Sequence, residues 1–184
     1  MIMFRFAFVL SFVICLCLFP SASFAEGGGR SQTIAVVDVD RLLSDSKAGK
    51  SIQDQHSKKR EVFKKEFSKL EGKLIEAEKQ LVKDKENLSP EEFLKKRQGF
   101  EKEFQETRRL FQKRRNALEK GLAEAFKMLR KIIIQTTADV SDEHKFDIVV
   151  TRESVVIVDK KMDITSEVLQ RMNKKISTIP LNVE

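Results

Sequence analysis

One short segment of the chain resembles the end of a phosphate-binding loop. Ala48-Gly49-Lys50-Ser51 contains the Gly-Lys-Ser of such a loop, in which successive backbone N–H groups hold the phosphates of a nucleotide. The loop also needs a glycine five residues before Gly49, and Ser44 stands there. The sequence therefore predicts that this segment does not bind a nucleotide.

The other residues capable of acid–base, nucleophilic or metal chemistry are few and scattered. Asp38 and Asp40 are spaced like paired carboxylates, but their position after an apolar run favours a role in capping a turn. His56 and His144 lie far apart, whereas a metal site needs more ligands at closer spacing. No Ser-His-Asp or Cys-His set can be assembled, so we predict a protein that is not an enzyme and needs no cofactor.

The N-terminal 25 residues have the composition of a secretory signal. Phe6 to Phe19 is almost wholly apolar, and Arg5 is the only charged residue of residues 1–25. The run is shorter than the roughly 20 residues of a membrane-spanning helix. Ser23-Phe24-Ala25 places small residues where a signal peptidase reads them. We predict a signal peptide over 1–25 and export, with an uncleaved anchor as the alternative.

The exported chain lacks cysteine and carries its charge unevenly. Both cysteines, Cys15 and Cys17, lie in the predicted signal, so no disulfide is expected. Residues 56–135 contain 23 Lys and Arg and 14 Asp and Glu, a net charge of +9, whereas the rest of the exported chain has 11 basic and 14 acidic residues, a net of −3. This asymmetry favours acidic partners for the middle of the chain, although a solvated helical surface has the same composition.

Two long helices joined by a sharp turn are expected to carry this charge. Pro90 is the only proline between Lys47 and Val140, and Ser89 with Glu92 forms the pattern of a capping box. Apolar residues recur at alternating steps of four and three, the spacing of a coiled-coil seam. The seam positions are Phe63, Phe67, Leu70, Leu74, Ala77 and Leu81 in the first helix, and Phe93, Phe100, Phe104, Thr107, Phe111, Arg114, Leu118 and Gly121 in the second.

An antiparallel hairpin turning near Ser89 gives this seam a definite pairing. Facing residue numbers sum to about 178, which places Phe67 opposite Phe111 and Leu74 opposite Phe104. The seam is interrupted by Arg97 and Arg114 and by glycines inside the helices, each of which weakens a helix by about 1 kcal/mol relative to Ala. These glycines indicate either bending or close packing. They are Gly72, Gly99 and Gly121.

Short β-rich runs flank the hairpin. Thr33 to Val39 is typical of a buried strand, and Phe146 to Thr151 and Ser154 to Val158 predict two more strands, joined by a tight turn at Arg152-Glu153. A short helix that starts near Asp163 or Thr165 and ends at Pro180 follows.

The predicted fold class is α+β: a small strand-based trimerisation domain with a long antiparallel α-helical coiled-coil hairpin. The arm spans residues 47–140, and the strand-rich base comprises residues 26–46 and 141–184. Three strands and one helix carry little apolar surface in one protomer, and open strand edges favour pairing with another chain.

Two segments of the base resemble a known family. Ala-Val-Val-Asp-Val at Ala35 to Val39 and Asp-Ile-Thr-x-x-Val-Leu at Asp163 to Leu169, in this order of elements, resemble the Skp/OmpH family of periplasmic chaperones over essentially the whole exported chain. The resemblance implies a homotrimer with a small central barrel and three arms. It implies a cavity between the arms that holds unfolded outer-membrane β-barrel proteins. It also suggests an anionic lipid or lipopolysaccharide surface as a partner, but the basic positions proposed for that in some members do not match here.

Basic residues near the predicted tip are our candidates for client binding, without ATP and without specific nucleic-acid recognition. A structural coiled-coil adaptor or a non-specific polyanion-binding exported protein is the alternative. The charged candidates are Lys83, Lys85, Lys95, Lys96 and Arg97, and the apolar candidates off the strict seam are Ile75, Leu94, Leu110 and Phe126.

Overall fold

The computed structural model describes residues 32–183, so the predicted signal peptide lies outside the described residues. Two short strands and four helices follow one another along this part of the chain. They are β1 (Ile34–Val37), α1 (Val39–Asp45), α2 (Lys47–Asn87), α3 (Pro90–His144), β2 (Ile148–Thr151) and α4 (Thr165–Lys175). No helix among the described residues is both long enough and apolar enough to cross a membrane.

Helices α2 and α3 form the predicted hairpin. They contain 41 and 55 residues, which corresponds to about 60 and 80 Å of helix. Ser89 caps α3, Pro90 occupies its first turn, and the Glu92 carboxylate accepts a hydrogen bond from the Ser89 N–H at 3.1 Å. The pKa of Glu92 is lowered mainly by its hydrogen bond with the Ser89 hydroxyl and further by the bond from the Ser89 backbone. The predicted capping box is confirmed, and it fixes the reversal of the chain.

The apolar seam holds the two helices together. The Phe67 and Phe111 rings meet edge to face with centroids 4.5 Å apart, as the predicted pairing requires. Arg114 is accommodated at its seam position because its guanidinium pairs with Glu66 and lies 5.5 Å from the centre of the Phe63 ring. All six predicted seam residues of α2 are half-buried. A two-helix contact leaves half of each side chain in solvent, so the arm has a seam and no enclosed core.

The strand prediction is wrong in one part. β1 and β2 pair in parallel, with Ile34 opposite Ile148, but the segment 154–158 forms no strand. The chain turns through a 3-10 helix at Arg152–Ser154, where the Val155 N–H bonds to the Arg152 carbonyl at 3.2 Å. Arg-Glu lacks the Asn-Gly chemistry of a two-residue hairpin, so the chain leaves the sheet instead of returning along it.

The structure adds one helix to the base and shows structural roles for Asp38 and Gly49. The sequence analysis missed α1, and Asp38 caps this helix by accepting a hydrogen bond from the Arg41 N–H at 2.8 Å. The Gly49 N–H, part of the sequence that resembles a phosphate-binding loop, bonds to the Ser46 hydroxyl at 3.1 Å. A Cβ at Gly49 would lie 1.8 Å from the Leu43 carbonyl oxygen, so this glycine is needed for close packing.

Asp163 and Thr165, proposed to cap α4, both lie at its start, but its N-cap residue is Ile164, which makes no side-chain capping bond. The Asp163 carboxylate accepts a hydrogen bond from the Thr165 N–H at 2.8 Å, while the Thr165 hydroxyl accepts one from the Asp38 N–H at 2.9 Å. The helix ends at Lys175, five residues before the proline expected to end it.

The hydrophobic core lies in the base. It includes the ends of both long helices nearest the strands, so it is larger than a core formed by three strands and one helix. Its largest fully buried side chains come from β1 and all four helices. They are Val36, Leu42, Ile52, Leu129, Ile133, Val140, Val168 and Met172. No residue from 53 to 117 is buried, although the structure describes all of them. Apolar burial therefore concentrates in the base, and the arm depends on helix formation and its half-exposed seam.

This division predicts unequal dynamics along the chain. Amide hydrogens near Ser89 should exchange with solvent quickly, because opening the tip exposes little apolar surface, whereas those of Ile34–Val37 should be among the slowest. Hydrogen exchange resolved by peptide measures both in one experiment. Equal protection at the two places would show that the arm is rigid along its whole length.

Candidate interaction surface of the helical arm

The five basic candidates lie at the tip, as the sequence analysis expected, on both sides of the turn. Lys83 and Lys85 are in the last turns of α2, and the other three are in the first turns of α3. All five side chains are exposed. They share a region of the arm, but the structure shows that they are not electrostatically equivalent.

Two of the five have acidic partners. Lys96 bonds to the Asp84 carboxylate at 2.7 Å across the tip, and the Asp84 side chain is only 14% exposed. The hydrogen bond from Lys96 lowers the pKa of Asp84, and a second bond from Gln80 adds to this, so Asp84 is ionised at neutral pH and offsets the Lys96 charge. Arg97 pairs with Glu101 at 3.4 Å.

Lys83, Lys85 and Lys95 form no ion pair within residues 32–183. We call these three residues the free tip lysines. They are the side chains of the predicted set best placed to attract an acidic segment, because no carboxylate of the described chain neutralises them.

Apolar side chains interrupt the charged surface of the arm. Ile75, Leu94 and Leu110 are exposed, as their positions off the seam predict. The structure adds Val82, which is 66% exposed and lies seven residues from Ile75 on the same face of α2. The candidate Phe126 is different, because it is half-buried and packs against the core of the base.

A second exposed apolar patch lies in the base. Val156 and Ile157 follow the turn at Arg152–Ser154 and are 93% and 88% exposed. Ile148 in the neighbouring β2 is also exposed. Sequence reasoning singled out these residues as a strand because of their β-branched composition. In the described chain this patch has no cover.

Several charged side chains of the base are paired with one another. Arg171 pairs with both Glu143 and Glu167, and Glu167 also contacts His144 at 3.0 Å. The His144 contact lowers the pKa of Glu167, with Arg171 contributing further. Within residues 32–183 no group of His, Cys, Asp or Glu is arranged to hold a metal ion.

One acidic pair is an exception to this balance. A hydrogen bond to the neighbouring Asp40 carboxylate raises the pKa of Glu153, because Glu153 can donate it only when protonated, and repulsion from the negative charge of Asp40 raises the pKa further. Glu153 belongs to the turn that precedes the exposed Val156 and Ile157.

These features define a class of protein: an α+β chain in which a long basic helical hairpin extends from a small base with an exposed apolar segment. The family model described as "Outer membrane protein (OmpH-like)" matches residues 33–172. The chain therefore belongs to the OmpH-like family. This confirms the family assignment made from the two base segments.

Comparison with solved structures supports the fold. The chain is similar to the crystal structure of a candidate outer membrane chaperone (OmpH-like) from Caulobacter crescentus CB15, with a TM-score of 0.78 and 18% sequence identity, over 83% of this chain and 90% of the other. No significant match is found among curated proteins. The long helical hairpin and the small strand pair are thus the fold of an OmpH-like protein.

Proposed function

We propose that this protein is an ATP-independent periplasmic holding chaperone, which binds unfolded outer-membrane β-barrel proteins between helical arms. Membership of the OmpH-like family supports this proposal. The structural observation that carries it is an arm with no buried residue from 53 to 117, which combines exposed apolar side chains with unpaired lysines. Such a surface suits a partner that is both apolar and acidic.

Binding to the arm would consist of many weak contacts. Each exposed charge pair contributes about 1 kcal/mol or less, and small apolar contacts are comparable. Linked along one client chain, such contacts add up to tight binding that is still reversible, since each opens independently. Holding of this kind needs no nucleotide, and Gly49 already donates its N–H to Ser46.

We also propose that the protein acts as a homotrimer assembled through its base. The exposed Val156 and Ile157 and the β2 strand, which pairs only with β1 in the described chain, support this. An assembly would cover these side chains and pair the open edge of the sheet. Three arms extending from one base would then surround a common cavity.

The proposed function predicts suppressed aggregation in a simple refolding assay. An outer-membrane β-barrel protein unfolded in urea is diluted with and without this protein, with no nucleotide present, and light scattering is followed. Scattering should fall to a small fraction of its value at a ratio of about one trimer per client. Unchanged scattering would contradict the proposal and favour a structural coiled-coil adaptor.

A competition experiment tests the alternative of a non-specific polyanion-binding protein, which the +9 charge of residues 56–135 favours. A single-stranded nucleic acid is added at low and at physiological salt. A holding chaperone should keep its client at physiological salt, because apolar contacts remain when electrostatic ones weaken. Complete displacement of the client by the nucleic acid at physiological salt would favour a polyanion-binding protein.

A further inference from the structure

The C-terminal segment, residues 176–183, has no regular secondary structure and yet is firmly packed. Ile179 and Leu181 are 2% and 3% exposed and belong to the core, and Val183 packs against it. An irregular segment usually lies on the surface. Burial of alternate residues here indicates that the segment is held in place like a strand, although it pairs with no strand.

Helix α2 holds this segment through one side chain. The Gln55 amide nitrogen donates to the Ile179 carbonyl oxygen at 2.8 Å, and its amide oxygen accepts from the Leu181 N–H at 3.0 Å. One glutamine side chain thus replaces the two backbone bonds that a neighbouring strand would supply. The Gln55 nitrogen is positioned by the Ser51 carbonyl and hydroxyl at 3.2 and 3.1 Å.

Helix α3 holds the same segment through a glycine. A Cβ added at Gly121 would lie 2.2 Å from the Asn182 carbonyl oxygen, whereas a Cβ at Gly72 or Gly99 would meet nothing within 4 Å. Only a residue without a side chain lets the backbone of the segment approach α3 at this place. Gly121 is therefore required for close packing, which distinguishes it from Gly72 and Gly99.

These two contacts lie where the arm leaves the base. Ile52 is the last buried residue of α2 before the tip, and Leu118 is the first buried residue of α3 after it. Gln55 and Gly121 stand next to these two residues on the two helices. The segment therefore ties both helices together at the boundary between core and arm.

We propose that residues 176–183 act as a clamp that sets where the mobile part of the arm begins. With the clamp in place, the helices are fixed up to Gln55 and Gly121, and bending is confined to the seam beyond them. Release of the clamp moves the bending point toward the core and enlarges the swing of the tip. The proposal concerns arm motion and holds whether or not the arm binds a client.

The first test replaces Gly121 by Ala, with Gly72→Ala and Gly99→Ala as matched controls. Alanine favours helix over glycine at every one of these positions, so the controls should leave exchange along the arm unchanged or slower. Gly121→Ala should instead displace the clamp. Amide exchange of residues 176–183 and of the helix segments 56–66 and 111–120 should become about tenfold faster.

A second variant keeps the proposal testable if Gly121→Ala folds poorly. Gln55→Ala removes both bonds to the clamp without adding an atom, and Gln105→Ala on the exposed surface of the arm is its control. Only Gln55→Ala should accelerate exchange in the clamp and in segments 56–66 and 111–120. Unchanged exchange in the clamp would overturn the proposal, as would a released clamp with unchanged exchange in those helix segments.

Discussion

Replacing both Val156 and Ile157 by Asp should convert the assembled protein to monomers while its helices stay folded. The two side chains are almost fully exposed in one protomer, so the substitutions disturb no contact within the chain. In an assembly that covers them, each buried side chain contributes about 1.5 to 3 kcal/mol. An Asp in its place must also be desolvated or excluded.

Sedimentation measures the effect directly. The parent protein should sediment as a trimer and the Val156→Asp, Ile157→Asp variant as a monomer at micromolar concentration, with similar helical circular dichroism. Val62→Asp with Val82→Asp is the control, because it places two acids on exposed apolar positions of the arm. A double variant of the base that stays trimeric would show that this patch is not the assembly surface.

Shortening the arm tests the same proposal from the other side. A variant lacking Lys58 to Glu119, rejoined by a short turn, keeps Gln55, Gly121 and every buried core residue except Leu118. It should still be trimeric, since the proposed contacts are in the base. A monomeric product would place the assembly contacts on the arm.

The parts of this fold that sequence predicts well are those decided by neighbours in the chain. The tip depends on Ser89, Pro90 and Glu92, which lie within four residues, and the seam depends on a period that repeats along each helix. The parallel pairing of β1 with β2 brings together residues more than a hundred positions apart. No local sequence pattern encodes such a pairing. The parallel direction of the two strands can be inferred only once the long hairpin that connects them has been located.

The failure at residues 154–158 has a physical cause. Val and Ile have high β propensity, but that propensity reflects packing on a neighbouring strand more than the backbone itself. The turn at Arg152–Ser154 directs the segment away from the sheet, so within the described chain it lies on no neighbouring strand. The sequence pattern therefore identified a segment with β propensity but not the path that the chain takes.

The candidate surface was likewise predictable only in outline. The basic excess of residues 56–135 follows from composition, but Asp84 and Lys96 are twelve residues apart and meet only because the hairpin closes. The sequence could not separate paired from unpaired lysines for this reason. The clamp contacts at Gln55 and Gly121 were missed for the same reason, since each joins residues from distant parts of the chain.

The separation of paired from unpaired lysines sharpens the test of client binding. Changing Lys83, Lys85, Lys95, Lys96 and Arg97 together to Gln should weaken binding of an acidic unfolded client. The free tip lysines should account for most of the loss, because Lys96 and Arg97 already face Asp84 and Glu101. At about 0.5 kcal/mol for each exposed charge, the triple variant, in which only the free tip lysines are changed to Gln, should bind about tenfold more weakly at low salt.

The salt dependence of binding shows whether the tip charges attract the client or only keep the arm solvated. Exposed charges more than about 10 Å apart are largely screened near 0.1 M salt, so the parent and the triple variant should converge as salt rises. Changing only Lys96 and Arg97 to Gln is the matched control, and it should shift affinity less than the triple variant. Assembly should be unchanged in every case, because the tip is far along the hairpin from the strands. If the fivefold variant binds the client as tightly as the parent at every salt concentration, the tip charges serve only to solvate the arm, and binding rests on the apolar side chains.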